Sequence, residues 1–164
     1  MSERLQRELA VMLDAFDVAR RADEQRKARM KSGELAFLAG FAALRAQVVR
    51  PIFEVAGEML KARGHAFVIR EEEFVSEPDG ATREAAISLR ITPSGLEGAT
   101  ASDAAHRELA LNTRHYNKTV SIVNGALPQS GSMAGAAGGY PLAQIDAQLV
   151  EDHVLKLVAA LVRA

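Results

Sequence analysis

The chain has 164 residues, of which 48% are hydrophobic, so it is long enough for a buried core and too apolar for global disorder. It contains no cysteine, which excludes disulfides, thiolate zinc sites and cysteine nucleophiles. Its 20 basic and 21 acidic residues nearly cancel, so no net field draws the protein toward nucleic acid or an anionic membrane.

The first part of the chain is predicted to be helical. Apolar residues recur at alternating intervals of four and three, which is the spacing of a coiled-coil seam. They are Leu5, Leu9, Met12, Phe16 and Ala19. The opening residues alternate charged and apolar side chains, unlike a secretory signal, and no run reaches the ~18 uncharged apolar residues that span a bilayer. We therefore expect a cytoplasmic protein without a membrane segment.

A second helical stripe covers Leu35 to Arg63. Its apolar positions, at spacings of three and four, are Phe37, Phe41, Leu44, Val48, Ile52, Val55 and Met59. Pro51 crowds the carbonyl of Gln47, which predicts a kink or restart at Arg50. Between the stripes, Ser32-Gly33-Glu34 is a cap-and-break signal, so two interpretations stay open: an antiparallel hairpin turning near Ser32 and Gly33, or one bent helix.

After Gly64 the apolar period changes to two, which predicts strands. The four predicted strands are His65 to Phe74, Ala85 to Thr92, Glu108 to Thr113 and Thr119 to Val123. A strong turn at Glu77-Pro78-Asp79-Gly80, a loop at Pro93 to Ala105 and a hairpin loop at Arg114 to Lys118 join them. Consecutive strands with such links favour an antiparallel meander.

The C-terminal part begins with an uncharged Gly, Ala and Ser stretch, Asn124 to Gly139, which we expect to be mobile. Pro141 to Ala164 then predicts an amphipathic helix with Pro141 in its first turn, packed on the sheet. The fold class is therefore α+β: N-terminal long helices, a four-stranded antiparallel meander and a C-terminal helix. We assign residues 1–64 to a helical dimerisation arm and 65–164 to a compact α+β body, and we expect the two to form one structural domain together.

No motif for catalysis or cofactor binding is present. The glycines of the 124–139 stretch lack both Gly-Lys-Ser/Thr and GxGxxG. The four histidines His65, His106, His115 and His153 show no metal-binding spacing. Ser121, Ser130 and Ser132 lack a GxSxG context. We therefore expect no catalytic residue, no metal, no cofactor and no enzymatic activity.

Two functional hypotheses follow. The first is a non-enzymatic, self-associating adaptor or scaffold, a homodimer formed through Leu5, Leu9, Met12, Phe16, Phe37, Phe41, Leu44 and Val48. An unidentified protein partner would contact the polar and aromatic hairpin tip, Arg114, His115, Tyr116 and Lys118. The second is a small-ligand-binding protein with a pocket between sheet and helices, gated by the 124–139 loop. Neither hypothesis involves nucleic acid.

Overall fold

The computed structural model describes residues 2–95, 107–126 and 139–162, and it confirms the α+β fold. The helices are α1 (Glu3–Leu44), α2 (Arg50–Ala62) and α3 (Ala147–Val162), with a π-helical turn at Arg45–Val49 and a 3₁₀ turn at Leu142–Gln144. The strands are β1 (Ala66–Glu72), β2 (Val75–Ser76), β3 (Thr82–Arg83), β4 (Ala86–Thr92), β5 (Glu108–Arg114) and β6 (Thr119–Asn124).

The N-terminal helix runs through the predicted break. Ser32 and Gly33 lie inside α1, so the hairpin alternative is wrong and a single helical path is found. A glycine in a helix interior costs only about 1 kcal/mol relative to alanine. That cost does not end a helix whose neighbouring residues favour the same conformation.

The predicted restart at Arg50 is confirmed, since α2 begins there with Pro51 in its first turn. The π-helical turn at Arg45–Val49 precedes it directly. Proline has no N–H to donate and crowds the carbonyl four residues earlier. The wider turn therefore replaces a regular α-helical turn at the place where that carbonyl lacks its usual donor.

The main sheet is antiparallel, in the order β1-β4-β5-β6. Its register places Ile69 opposite Leu89 and Leu89 opposite Leu109, so the apolar residues of neighbouring strands share one face. All four predicted strands are found, with ends shifted by at most two residues. The two-residue strands β2 and β3 were not predicted, although they close around the predicted Glu77–Gly80 turn.

Helices α2 and α3 and the C-terminal end of α1 cover this apolar face. The fully buried sheet residues are Ile87, Leu89, Leu109 and Val120, with Ile91 and Leu111 at 1% exposure. The helical residues of the same core are Phe37, Phe41, Val49, Phe53, Val150, Val154 and Leu157. Gly57 lets α2 approach β1, because a Cβ atom there would overlap the ring of Phe67.

The C-terminal helix begins later than predicted. Pro141 precedes the 3₁₀ turn, and α3 starts only at Ala147, so the placement of Pro141 in the first turn of this helix was wrong. Asp146 decides the start because its Oδ1 accepts the backbone N–H of Leu149 at 2.9 Å, an N-cap that proline cannot provide.

The chain divides into two compact units, Met1–Ala36 and Phe37–Ala164. The helical residues 37–62, which the sequence analysis assigned to the arm, belong to the second unit. The expected mobility of Asn124 to Gly139 and the loop at Pro93 to Ala105 fall mostly outside the described residues, which omit 96–106 and 127–138.

Candidate functional site

The first unit presents an apolar surface on α1. We define the α1 stripe as the large apolar side chains that share one helical face: Leu5, Leu9, Met12, Leu13 and Phe16. Each is between 45% and 63% exposed. Four of them were predicted from the coiled-coil spacing, whereas Leu13 was missed because it lies beside the seam rather than on it. The stripe is therefore wider than the sequence spacing indicated.

Some charged residues of α1 form ion pairs along the helix. Arg4 Nε lies 3.0 Å from Glu8 Oε1, and Arg26 Nη2 lies 2.9 Å from Asp23 Oδ1. These pairs are three or four residues apart and exposed, so they contribute little to stability. Val11, Val18, Met30 and Leu35 are also exposed apolar residues of this unit, but they lie apart from the contiguous face that forms the α1 stripe.

The other predicted self-association residues lie in the second unit. Phe37 and Phe41 are buried in its core, and Leu44 and Val48 are half-buried against it. The sheet face covers the two phenylalanines, so self-association through Phe37, Phe41, Leu44 and Val48 stays a prediction that this packing does not support. The self-association hypothesis now depends on the α1 stripe.

The buried line of the long helix differs from the predicted one. It follows every fourth residue: Phe37, Phe41, Arg45, Val49, Phe53 and Gly57. In a uniform α-helix each four-residue step advances about 40° around the axis, so this line would drift off the sheet. The π-helical turn, with its wider repeat, takes up part of that drift.

Arg45 is the polar member of this line. It is 7% exposed, and Nη1 donates to the carbonyls of Glu72 at 3.0 Å and Ala86 at 3.3 Å. Nη2 donates to Glu73 Oε1 at 2.6 Å. The guanidinium thus ties the π-helical turn to the ends of β1 and β4. Nothing in the spacing of apolar residues indicated a buried arginine.

A second exposed apolar surface lies between α2 and α3. We define the α2–α3 groove as a depression of about 420 Å³ lined by Pro51, Ile52, Val55, Ala56, Met59, Glu151, Val154 and Leu155. Val55, Met59 and Leu155 are 64–68% exposed. Sequence reasoning assigned Val55 and Met59 to the buried face of the helix, but the structure directs them away from the sheet.

The hairpin tip is partly a structural anchor. His115 Nδ1 lies 2.8 Å from Glu84 Oε2, and the His115 backbone N–H donates to Glu84 Oε1 at 3.2 Å. Thr113 donates to the same carboxylate oxygen, and the ring of Phe74 packs on the imidazole. These contacts fix the hairpin, whereas Tyr116 and Lys118 are exposed. Arg114, His115, Tyr116 and Lys118 stay predicted partner contacts.

No family model, curated protein or solved structure matches the chain. Function must therefore be argued from these surfaces. Within residues 2–95, 107–126 and 139–162, no three His, Asp or Glu side chains are grouped to hold a metal ion. An 18-residue window of the helical path Glu3–Ala62 has a mean hydropathy of 1.4, with 22% of it buried. Core helices of other proteins meet the same criterion, so it does not indicate a membrane by itself.

The space between sheet and helices is well filled where the structure describes it. Phe41, Phe53, Leu89, Leu109 and Leu157 are fully buried there. A cavity lined by Leu60, His65, Ile91, Pro93, Val158, Leu161 and Val162 measures about 90 Å³. Small-ligand sites usually measure about 300–1,000 Å³. The larger depression of about 420 Å³ lies between α2 and α3 rather than between sheet and helices, so it is not the pocket that the ligand-binding hypothesis describes.

His153 is a buried histidine of α3 whose surroundings favour its neutral form. Asn124 Nδ2 donates to the His153 carbonyl at 2.9 Å and lies 3.3 Å from its Nδ1. Burial lowers the pKa of His153 below its ordinary 6.5, and the charge of Lys156 lowers it further, whereas Asp152 acts in the opposite direction. The imidazole is thus a core residue, not an open site.

This lowered pKa predicts loss of stability in acid. Below pH 6.5 the unfolded chain binds a proton at His153, whereas the folded chain resists binding it. The free energy of unfolding therefore decreases as the pH is lowered, and it levels off below the pKa that His153 has in the folded state. Urea unfolding of wild type and His153→Gln at about pH 5 and about pH 8 measures this contribution. The unfolding free energy of wild type minus that of His153→Gln should decrease between about pH 8 and about pH 5. A difference that does not change with pH would contradict the assignment.

Proposed function

We propose that the protein is a non-enzymatic interaction module that self-associates as a homodimer through the α1 stripe. The observation that carries the proposal is the exposure of five large apolar side chains on one face of α1. Four of them have the spacing with which helices pack on one another. Leucine, methionine and phenylalanine side chains can form a binding surface, but they carry no group that reacts.

The energetics favour a partner for this helix. Stability of a helix in a protein comes mainly from packing its amphipathic face, rather than from propensity. Burying one Leu, Met or Phe side chain contributes about 1.5–3 kcal/mol. These side chains are already about half covered, so burying the rest of all ten in a dimer contributes roughly 8–17 kcal/mol, comparable with the roughly 4–15 kcal/mol that association costs in lost freedom. A stable dimer therefore requires that nearly all of the stripe becomes buried.

Light scattering coupled to gel filtration tests the proposal. At micromolar concentration the wild type should have twice the 17.6 kDa mass of one chain. Leu9→Asp removes one apolar side chain from each copy and inserts a charge. We expect it to weaken dimerisation by at least about 100-fold, which yields a monomer at the same concentration.

Val18→Asp is the matched control. Val18 is 63% exposed on the same helix, but it lies off the stripe, since its helical position falls nearly opposite Leu9 and Phe16. It should keep the dimer mass. A monomeric wild type, or equal loss of the dimer in both variants, would contradict self-association through the α1 stripe.

A further inference from the structure

We infer that His153 and Asn124 form an acid-sensitive switch, in which protonation of the imidazole releases the turn that follows β6. Both side chains are buried, at 9% and 5% exposure. They connect α3 to β6, whose last residue is Asn124. Neither residue belongs to the α1 stripe, so this inference is independent of the proposed self-association.

The side-chain amide of Asn124 is held in one orientation. Its Oδ1 accepts the backbone N–H of Ala126 at 3.0 Å, and its Nδ2 donates to the backbone carbonyl of His153 at 2.9 Å. The first partner can only donate and the second can only accept, so each end of the amide suits one partner. Turning the amide over would place donor against donor at Ala126 and acceptor against acceptor at His153.

This orientation also fixes the tautomer of the neutral imidazole. Asn124 Nδ2 lies 3.3 Å from His153 Nδ1. Because Nδ2 carries hydrogens and no free lone pair, Nδ1 has to be the acceptor, and the neutral ring carries its hydrogen on Nε2. Protonation adds a hydrogen at Nδ1, where it meets the hydrogens of Nδ2. The charged imidazole is therefore incompatible with the amide orientation that holds the turn.

The amide can satisfy the charged imidazole by turning over. Oδ1 then accepts from the Nδ1–H of His153, and hydrogen bonds from charged donors are roughly twice as strong as neutral ones. The same movement takes Oδ1 away from the N–H of Ala126. The bond from the Gly125 N–H to the Glu108 carbonyl, 2.9 Å long, does not involve the amide. Acid therefore loosens the turn at Ala126 and leaves the contact of Gly125 with β5.

The charges around His153 set the pH at which the switch responds. Burial lowers the pKa of His153 below 6.5, Lys156 lowers it further, and Asp152 raises it. Charged residues on the elements that pack against α3 form their own ion pairs, Glu108 with Arg90, Glu54 with Arg50 and Arg45 with Glu73, or, like Glu58 and Lys61, are exposed. Strand β6 carries no charged residue. The imidazole thus titrates mainly against burial and its two charged neighbours on α3.

A nuclear magnetic resonance titration of the isotope-labelled full chain tests the inference. We expect the backbone amide signal of Ala126 to shift with the same midpoint as the imidazole signals of His153, at a pH below 6.5. The amide of Gly125 is the internal control and should shift far less, because its N–H donates to a backbone carbonyl. In His153→Gln the shift of Ala126 should be lost.

Asn124→Asp separates the amide from the rest of the site. A carboxylate accepts from Ala126 and from a protonated imidazole at the same time, so the Ala126 signal should shift less than in wild type. The negative charge should raise the midpoint of His153 by about one pH unit or more. A wild type in which His153 titrates while Ala126 does not respond would overturn the switch. An imidazole that stays neutral until the whole protein unfolds would overturn it as well.

Discussion

Phe41→Ala is expected to lower the free energy of unfolding by about 3–5 kcal/mol, the cost of removing a large aromatic side chain from a packed core. Phe41 is fully buried among the side chains of the second unit, although it belongs to the helix that also carries the exposed stripe. The surrounding strands are rigid, so the space left by the ring cannot collapse fully. Urea unfolding followed by circular dichroism measures the loss.

The matched control is Phe16→Ala, the same substitution in the same helix at a side chain that is 62% exposed. Measured at a concentration where the chain is monomeric, it should change the unfolding free energy by no more than about 0.5 kcal/mol. Equal losses for the two variants would show that Phe41 does not belong to the core.

Arg45→Ala should be the second most damaging change. It removes the donor to the part-buried carbonyls of Glu72 and Ala86, and a carbonyl left without its donor costs at most roughly 1–3 kcal/mol when water cannot reach it. Arg45→Lys should recover only part of the loss, because an ammonium group cannot reproduce the planar fork that reaches two carbonyls and a carboxylate. Urea unfolding measures the free energy of unfolding of wild type, Arg45→Lys and Arg45→Ala, which should decrease in that order.

Hydrogen exchange shows which part of the protein Arg45→Ala destabilises. The amides at the ends of β1 and β4 should exchange faster in Arg45→Ala than in wild type, since the guanidinium no longer joins these strands to the π-helical turn. Arg50→Ala is the control: Arg50 pairs with Glu54 and Glu71 in solvent, where ion pairs contribute little. A loss in Arg50→Ala as large as in Arg45→Ala would contradict the role of the buried guanidinium.

The strands were predictable because their signal is local. Alternation in β4, with Ile87, Leu89 and Ile91 on one face, leaves no other register that buries them, and the turn at Glu77 to Gly80 separates them from β1. The continuity of α1 was not predictable in the same way. Ser32 and Gly33 form a weak break signal, and whether a helix continues depends on the sum of its neighbours.

The sequence also did not predict which side of the long helix faces the sheet, for a different reason. Helix α2 has two apolar sides, one with Phe53 and one with Val55 and Met59, and periodicity alone cannot say which side meets the sheet. The π-helical turn rotates the helical positions after it, such as Phe53, relative to those before it, such as Phe41. Arg45 occupies a buried position of this turn, which a search for apolar residues does not find.

The candidate site was half predictable. Coiled-coil spacing found Leu5, Leu9, Met12 and Phe16 from neighbouring residues alone. The α2–α3 groove joins residues about a hundred positions apart, so it exists only once the fold has formed. A surface of this kind leaves no local pattern in the sequence.

Strand β1 forms one edge of the main sheet, where it pairs only with β4. Unprotected edges invite further strands and lead to aggregation. The acidic run Glu71 to Glu73 occupies this edge, and Arg45 and Arg50 neutralise two of its carboxylates from the protein's own side. An incoming strand would meet the carboxylate of Glu72 beside the exposed guanidinium of Arg70. Charged side chains on an edge strand disfavour pairing with a second sheet, so the charges of Glu71 to Glu73 act against sheet-to-sheet association at this edge.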